Sequence, residues 1–550
     1  MVLEEHGVLG EANITELTLH FIPLEPDVLS LELEAGSFSD LILRKDPTPI
    51  FASAQALMRL QKQYGLFPRI LGKGDNAKKL ADLLQRMRSE EDVDASSDPN
   101  NTYLTSFGLT PSAVVENLII IDREVDFPTT LATQLTYEGL LDEIFGITTN
   151  QTEVDTSVLG SAPAPQGQQQ QQSGTSPTPA GATKRKVQLD STDKLYPSIR
   201  DANFATIGPT LNQTARRLQS DQQNIKSHEQ SISDLRAAVA KLPGYQAEQA
   251  ALKVHTSLAE EITKFTKSET FRRTLEVEQN LLCGADPASL HEMIEELIAR
   301  DTSLPTVLRL LCLESCLSNG IRQRDLESFK RMLLQAYGYQ HALTLSNLER
   351  MGLLISREAH RGFLNPIAGS AGQTATDWNA VRRSLQLWID DVQEADPEDM
   401  AYVFSGYAPL SVRLVQCILQ KSYLQRLVNP PRRAGAEAAS PAPQPGGSGW
   451  KGFEDTLSRI RGATVDVSQK GSYADASTAR RTVRGNKEGP KTTIVFFLGG
   501  VTYAEIAALR LVGQQLEKSG SGRKLVIGTT GIMGGKRVVD VGIEKKTFGN

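Results

Sequence analysis

Three runs of the chain carry apolar residues without polar alternation: Asn117–Ile121 (NLIII), Thr492–Leu498 (TTIVFFL) and Lys524–Ile527 (KLVI). The first two lead through short turns into helical patterns, TYEGLLDEIFG and TYAEIAALRLVGQQLEKS. Strands without a polar face, joined to helices, predict a parallel sheet covered on both sides. One run lies far upstream and two lie at the end, so the pattern predicts one sheet domain interrupted by a large insertion. The insertion, roughly 196–423, reads as helical throughout. Leu211, Leu218, Ile225, Ile232 and Val239 recur every seven residues. Leu235 and Leu242 add the second apolar position of the heptad, whereas Thr214, Asp221 and His228 leave its upstream half polar. Leu242-Pro243-Gly244 is a helix stop. A second periodic set follows: Ala247, Ala251, Val254, Leu258, Ile262 and Phe265. The prediction is a helical hairpin with its tip at Pro243–Gly244 and a first helix of about 50 Å over 209–242. A one-sided seam packs most often on the protein's own helices. A narrow stripe on a long helix equally suits a groove that receives a guest helix.

Three polar, low-complexity stretches interrupt these patterns. The first, 150–183, contains five consecutive glutamines at 168–172 and predicts a disordered insert. The second, 429–449, is rich in Pro, Gly and Ala, and the third, 469–491, carries Arg480, Arg481, Arg484, Lys487 and Lys491 against only Asp475 and Glu488.

Composition narrows the function. The 550 residues carry a formal net charge of −6, which argues against a general nucleic-acid binder. No apolar run reaches the ~20 residues that span a bilayer, and MVLEEHGVLGEANITE has neither the basic nor the apolar region of a secretory signal. Membrane association is therefore expected to be peripheral, through partners or surface contacts. Four cysteines without a CxxC predict reduced, mostly buried thiols, and no metal or cofactor is implied.

Candidate chemistry is thin. No G-x-S-x-G elbow and no H-E-x-x-H occurs, and His291-Glu292 stands alone. Thr530–Arg537 resembles a phosphate loop but lacks its first Gly and its Ser/Thr. Gly72-Lys73-Gly74-Asp75-Asn76-Ala77 follows an extended piece and opens a helix, so its amides could hold a phosphate. Asp75 as a helix cap explains the same residues. Asp122, Arg123 and Asp126 at the end of the NLIII strand read as structural, because no nucleophile or base accompanies them.

Residues 118–146, LIIIDREVDFPTTLATQLTYEGLLDEIFG, resemble the signature of the SM (Sec/Munc-type) family, which chaperones SNARE assembly. LGKGDNAKK (71–79), LPGYQAEQAALKVHTSLAEEI (242–262), YGYQHALTLSNLERMGLL (337–354), SGYAPLSVRLVQ (405–416) and FFLGGVTYAEIAALR (496–510) resemble its vacuolar protein-sorting, class C branch. That branch supplies the SM subunit of the HOPS and CORVET tethering complexes. The resemblance implies an α/β protein with a large all-α insertion: an SM arch with a split parallel-sheet domain 2 and a helical domain 3. It places a remnant of the N-terminal α/β domain 1 at 1–45, domain 2 at 46–150 and 491–550, and the disordered insert at 151–190. Domain 3a with the hairpin falls at 191–353, domain 3b at 354–428, and Pro/Gly-rich and basic loops at 429–490. It implies a SNARE-binding groove at Leu235, Val239, Leu242, Pro243, Leu252, His255 and Leu258. A propeller-plus-solenoid tethering subunit would be contacted through Lys330, Tyr339 and Ala342. The implied function is non-enzymatic templating of SNARE helices at the cytoplasmic face of vacuole and late endosome membranes. The alternative is an α/β nucleotide-binding enzyme or ATPase built on the Gly72–Ala77 loop.

Overall fold

The computed structural model describes residues 19–33, 36–97, 111–159, 184–227, 232–357, 375–428, 449–469 and 492–545, together with Glu5. The predicted strands are its centre. β1 (Ile22–Glu25), β2 (Val28–Ser30), β3 (Arg69–Lys73), β4 (Val115–Asp122), β7 (Thr464–Ser468), β8 (Thr492–Leu498) and β9 (Lys524–Thr529) form one sheet in the order β1-β2-β9-β8-β4-β3-β7. β2, β9, β8, β4 and β3 run parallel, whereas β1 and β7 close the edges antiparallel. Leu118–Ile121 on β4 and Val495–Leu498 on β8 are buried, as expected of strands covered on both faces.

The sheet is wider than the sequence indicates. Segment 1–45, expected as part of a separate domain, places β1 and β2 on this sheet, with Val28 opposite Ile527. The expected loop region 429–490 likewise contributes β7, whose Val467 and Val465 pair with Ile70 and Gly72. Just before β7, Trp450 is buried and its indole N–H donates to the Val465 carbonyl at 2.8 Å. The expected disordered insert 151–190 is bracketed by a hairpin of β5 (Gln151–Asp155) and β6 (Lys184–Gln188), which sets Glu153 against Lys186 and Asp155 against Lys184. The glutamine run lies outside the described residues.

The helices include α1 (Thr48–Tyr64), α2 (Asp75–Ser97), α3 (Tyr137–Ile144), α4 (Ile207–Ser227), α5 (Ile232–Thr266), α6 (Glu269–Cys283), α7 (His291–Ala299), α8 (Leu304–Leu317), α9 (Gln323–Tyr337), α10 (His341–Arg350), α11 (Leu410–Leu419), α12 (Tyr503–Lys518) and α13 (Gly535–Asp540). α1 and α2 pack on each other, α2 lies against β3, β4 and β7, and α12 lies against β9. α8 is the hub of the insertion, buried from Val307 to Ser315, and packs on α6, on α13 and on the helical turn Phe127–Leu131. Sheet and insertion therefore share one continuous apolar core. Cys312 and Cys417 are buried free thiols within it, and Cys283 and Cys316 are half-buried free thiols.

The hairpin departs from expectation at its tip. α5 continues through Pro243 and Gly244, and the two helices are separated by residues 228–231, which lie outside the described residues. Arg217 of α4 pairs with Glu248 of α5, and Asp221 accepts from the Tyr245 hydroxyl, the register of an antiparallel pair. A proline removes one backbone bond and bends a helix without necessarily ending it. At 1.5 Å per residue, the 35 residues of α5 extend about 52 Å.

Candidate functional site

α4 and α5 leave the body side by side. The heptad residues Leu211 and Leu218 of α4 are buried, and so are Ala251, Leu258 and Ile262 of α5. The lower part of the seam is thus closed by the protein's own segments. Of the expected groove residues, His255 and Leu258 are 1% and 0% exposed, so these two fill the interior and do not face a partner. Their positions place them on the stripe by which α5 packs on α3 and on the short helix Thr156–Leu159. Leu252 is half-buried against the core and Pro243 is exposed. Leu235, Val239 and Leu242 lie on the distal part of α5, where the backbone is described and the side chains are not.

The second expected surface is a turn. α9 ends at Gly338, whose φ of +108° favours glycine, and α10 begins three residues later. Tyr339 is 75% exposed beside exposed Ala342 and Leu343, while Lys330 pairs with Glu349. Tyr337 closes the end of α9 by donating its hydroxyl to the Thr302 carbonyl. The structure thus divides the two tyrosines: Tyr337 anchors the helix end and Tyr339 faces outward.

The Gly72–Ala77 loop sits at the carboxyl end of β3, where an α/β sheet holds a ligand. That place is filled from within. The Asp122 carboxylate accepts from the Asn76 amide at 2.8 Å and from its side-chain amide at 3.4 Å. A Cβ on Gly74 would lie 2.2 Å from the Asp122 Cβ, and one on Gly462 would lie 2.7 Å from the Gly74 Cα. Lys73, buried, donates to the carbonyls of Leu457 and Gly462 and to the Thr464 hydroxyl at 3.1, 2.6 and 3.2 Å. Burial lowers its pKa to about 8, with Asp75 opposing. Burial and then Glu124 push the Asp122 carboxyl up to about 6. The glycines serve close packing of strand, helix and the 460–464 loop, and a phosphate would displace a bonded carboxylate. The nucleotide-binding alternative is not supported.

Sequence reasoning missed how far the strand-end charges reach. Arg123, Asp126 and Glu505 are all buried, and they tie the end of β4 to the start of α12 and to Ser411 at the start of α11. Among the described residues no group of His, Cys, Asp and Glu could hold a metal ion, and no helix is long and apolar enough to cross a membrane.

The architecture is an interrupted parallel sheet joined to a long helical hairpin and to a turn with an exposed tyrosine. The model described as the Sec1 family matches residues 2–541, and the chain belongs to that family. Vacuolar protein sorting-associated protein 33A of Rattus norvegicus is 36% identical over 544 residues, spanning 99% of this chain and 79% of its own. The vacuolar protein-sorting-associated protein 33 homolog of Arabidopsis thaliana is 32% identical over 547 residues, with the same 99% and 79% spans. Among solved structures, the SM protein Vps45 in complex with the Qa SNARE Tlg2 superposes with a TM-score of 0.56 at 17% identity, over 95% of this chain and 75% of that one, so the two share a fold.

Proposed function

We propose that this protein is a SNARE-binding SM subunit of a tethering complex of the HOPS or CORVET kind, acting at the cytoplasmic face of vacuole and late endosome membranes. It works as a binding protein and not as an enzyme. The observation that carries this reading is the likeness, across nearly the whole chain, to proteins named for vacuolar sorting. A solved protein of the same fold, in complex with a SNARE, supports it. Holding two SNARE helices side by side lowers the entropy cost of bringing them together. The distal part of α5 is where a guest helix would lie, over Leu235, Val239, Leu242, Pro243 and Leu252. Replacing Leu235 and Leu242 by Asp should weaken binding of vacuolar SNARE motifs at least about tenfold, roughly 1.4 kcal/mol, with the melting temperature retained. Undiminished capture in a pull-down would remove the hairpin from the reading.

A propeller-plus-solenoid subunit would recruit the protein through Tyr339, Ala342 and Lys330. An exposed tyrosine offers contact area and a polar handle at low entropic cost. Tyr339→Asp should cost about 2 kcal/mol of that association while leaving the fold intact, because the side chain is 75% exposed. Calorimetric titration with the purified partner subunit checks it, and wild-type affinity would place the contact elsewhere.

A further inference from the structure

The stripe by which α5 meets the body is apolar at Ala251, Leu258 and Ile262, and polar at one place, His255. The His255 ring lies between three elements. Its Nδ1 is 2.9 Å from the hydroxyl of Tyr137, the first residue of α3. Its Nε2 is 3.5 Å from a carboxylate oxygen of Asp193. The ring stacks on Tyr196 at 5.7 Å and 9°, and meets Tyr137 edge-on at 5.8 Å and 67°. These partners are fixed in turn. Asp193 accepts from the amides of Leu195 and Tyr196 at 2.7 and 2.9 Å, Tyr196 donates to Glu138 at 2.6 Å, and the Tyr137 amide donates to the Ala202 carbonyl. The ring's hydrogen bond is the one it shares with the Tyr137 hydroxyl through Nδ1, whereas Nε2 approaches Asp193 at 3.5 Å without forming a hydrogen bond among the described residues. Burial alone would raise the Asp193 pKa, yet the neighbouring His255 ring and the amides of Tyr196 and Leu195 hold it down to about 2.

Apolar packing seats the helix on the body but carries no direction of its own, so it discriminates less sharply between small changes of roll. A hydrogen bond of defined length and direction discriminates more sharply. A slip of one residue turns a helix face by about 100°. By the same spacing, positions 235, 239 and 242 fall about half a turn away from 251, 255, 258 and 262. What pins the stripe at His255 therefore bears on which way the distal face points, together with the Arg217–Glu248 and Tyr245–Asp221 contacts to α4.

We propose that His255, held between Tyr137 and Asp193 and stacked on Tyr196, is the positioning residue that sets the roll of α5 and so aims the distal hairpin face at its partner helix. The partner half of this statement rests on the SNARE-binding reading above. The roll of α5 is a property of the free protein.

The test uses the full chain with spin labels at Lys253 on α5 and Glu153 on β5, both exposed. Pulsed distance measurements report the roll, and fluorescence anisotropy with a vacuolar SNARE-motif peptide reports binding. His255→Leu keeps the site filled and apolar. It should stay folded at a somewhat lowered melting temperature, since the buried Tyr137 hydroxyl loses its partner, broaden or shift the 153–253 distance, and weaken binding about tenfold, equivalent to about 1.4 kcal/mol. His255→Asn, whose side-chain oxygen can accept from Tyr137, should restore both readouts in large part. Tyr137→Phe, which leaves His255 and the core volume in place, should reproduce the loss should His255→Leu fail to fold. Wild-type distances in His255→Leu or in Tyr137→Phe would overturn the proposal. A changed distance with wild-type affinity would overturn its link to the partner. If the wild-type protein binds no SNARE motif, the functional reading fails, and the distance measurement alone decides what His255 does.

Discussion

Arg123→Ala is expected to cost about 3–5 kcal/mol of stability, the largest effect of any single side chain considered, because it leaves buried carboxylates without their cation. Arg123 is fully buried, and its Nη1 lies 3.0 and 2.9 Å from the two Glu505 oxygens. The same nitrogen reaches the Gly500 carbonyl at 3.3 Å, while Nη2 reaches the Asp126 carbonyl at 2.6 Å. The acids are committed elsewhere as well. Glu505 closes a capping box with Thr502 at the start of α12 and accepts from the Ser411 hydroxyl. Asp126 caps the turn at Thr129 and accepts from the Ser411 amide at 2.8 Å. One guanidinium therefore joins three stretches far apart in sequence: the end of β4, the β8–α12 turn and the first residues of α11 in the helical insertion. Its loss should loosen the sheet from the insertion together, lowering the calorimetric melting temperature as one event. Arg123→Met combined with Glu505→Gln should recover much of the loss, since removing both charges avoids stranding one of them. A cost below about 1 kcal/mol for Arg123→Ala would mean that water or a shifted partner replaces the cation, and the joint would have to lie elsewhere.

How much of this was legible in the sequence follows from how each element is buried. β4, β8 and β9 sit mid-sheet with both faces covered, so they appear as apolar runs that no alternation dilutes. β7 is an edge strand reading Thr-Val-Asp-Val-Ser, and β1 and β2 are four and three residues long, too short and too polar to stand out. The hairpin was legible as two helices, but Leu-Pro-Gly suggested a reversal that α5 does not make. Local propensity at Pro243 was outweighed by the helix on either side of it. His255 lies on the apolar stripe with Leu258 and Ile262, and sequence spacing cannot tell a stripe turned to the body from one turned to a partner. Only the positions of Tyr137 and Asp193, more than 100 and 60 residues upstream, decide it. The Gly72–Ala77 pattern failed for the same reason. A phosphate loop and a packed turn share their glycines, and the Asp122 carboxylate that distinguishes them comes from the next strand.

A pH dependence follows from Glu138, one residue beyond Tyr137 on α3. Burial raises its pKa from 4.5 to about 7, against the downward pull of Arg510, with Asp201 pushing up and the Tyr196 hydroxyl holding down. Between those values the folded protein keeps a proton that the unfolded chain has released. The contribution is fully present below about pH 4.5 and is lost as pH rises through about 7. Its size is on the order of 3 kcal/mol, at about 1.4 kcal/mol for each pH interval of one. Glu138→Gln keeps an oxygen to accept from Tyr196 and cannot titrate. Its melting temperature should therefore fall less than that of the wild type from about pH 5 to about pH 7.5, and the variant should be the more stable of the two at the upper end. Asp122, raised to about 6, acts in the same direction and leaves a residual slope in both proteins, so the difference between them isolates Glu138. Parallel curves would show that Arg510, which also bonds Asp27 and Asp201, keeps Glu138 ionised in the fold. The cluster around α3 would then be charged throughout, and His255 would take its bearings from a fixed rather than a titrating neighbourhood.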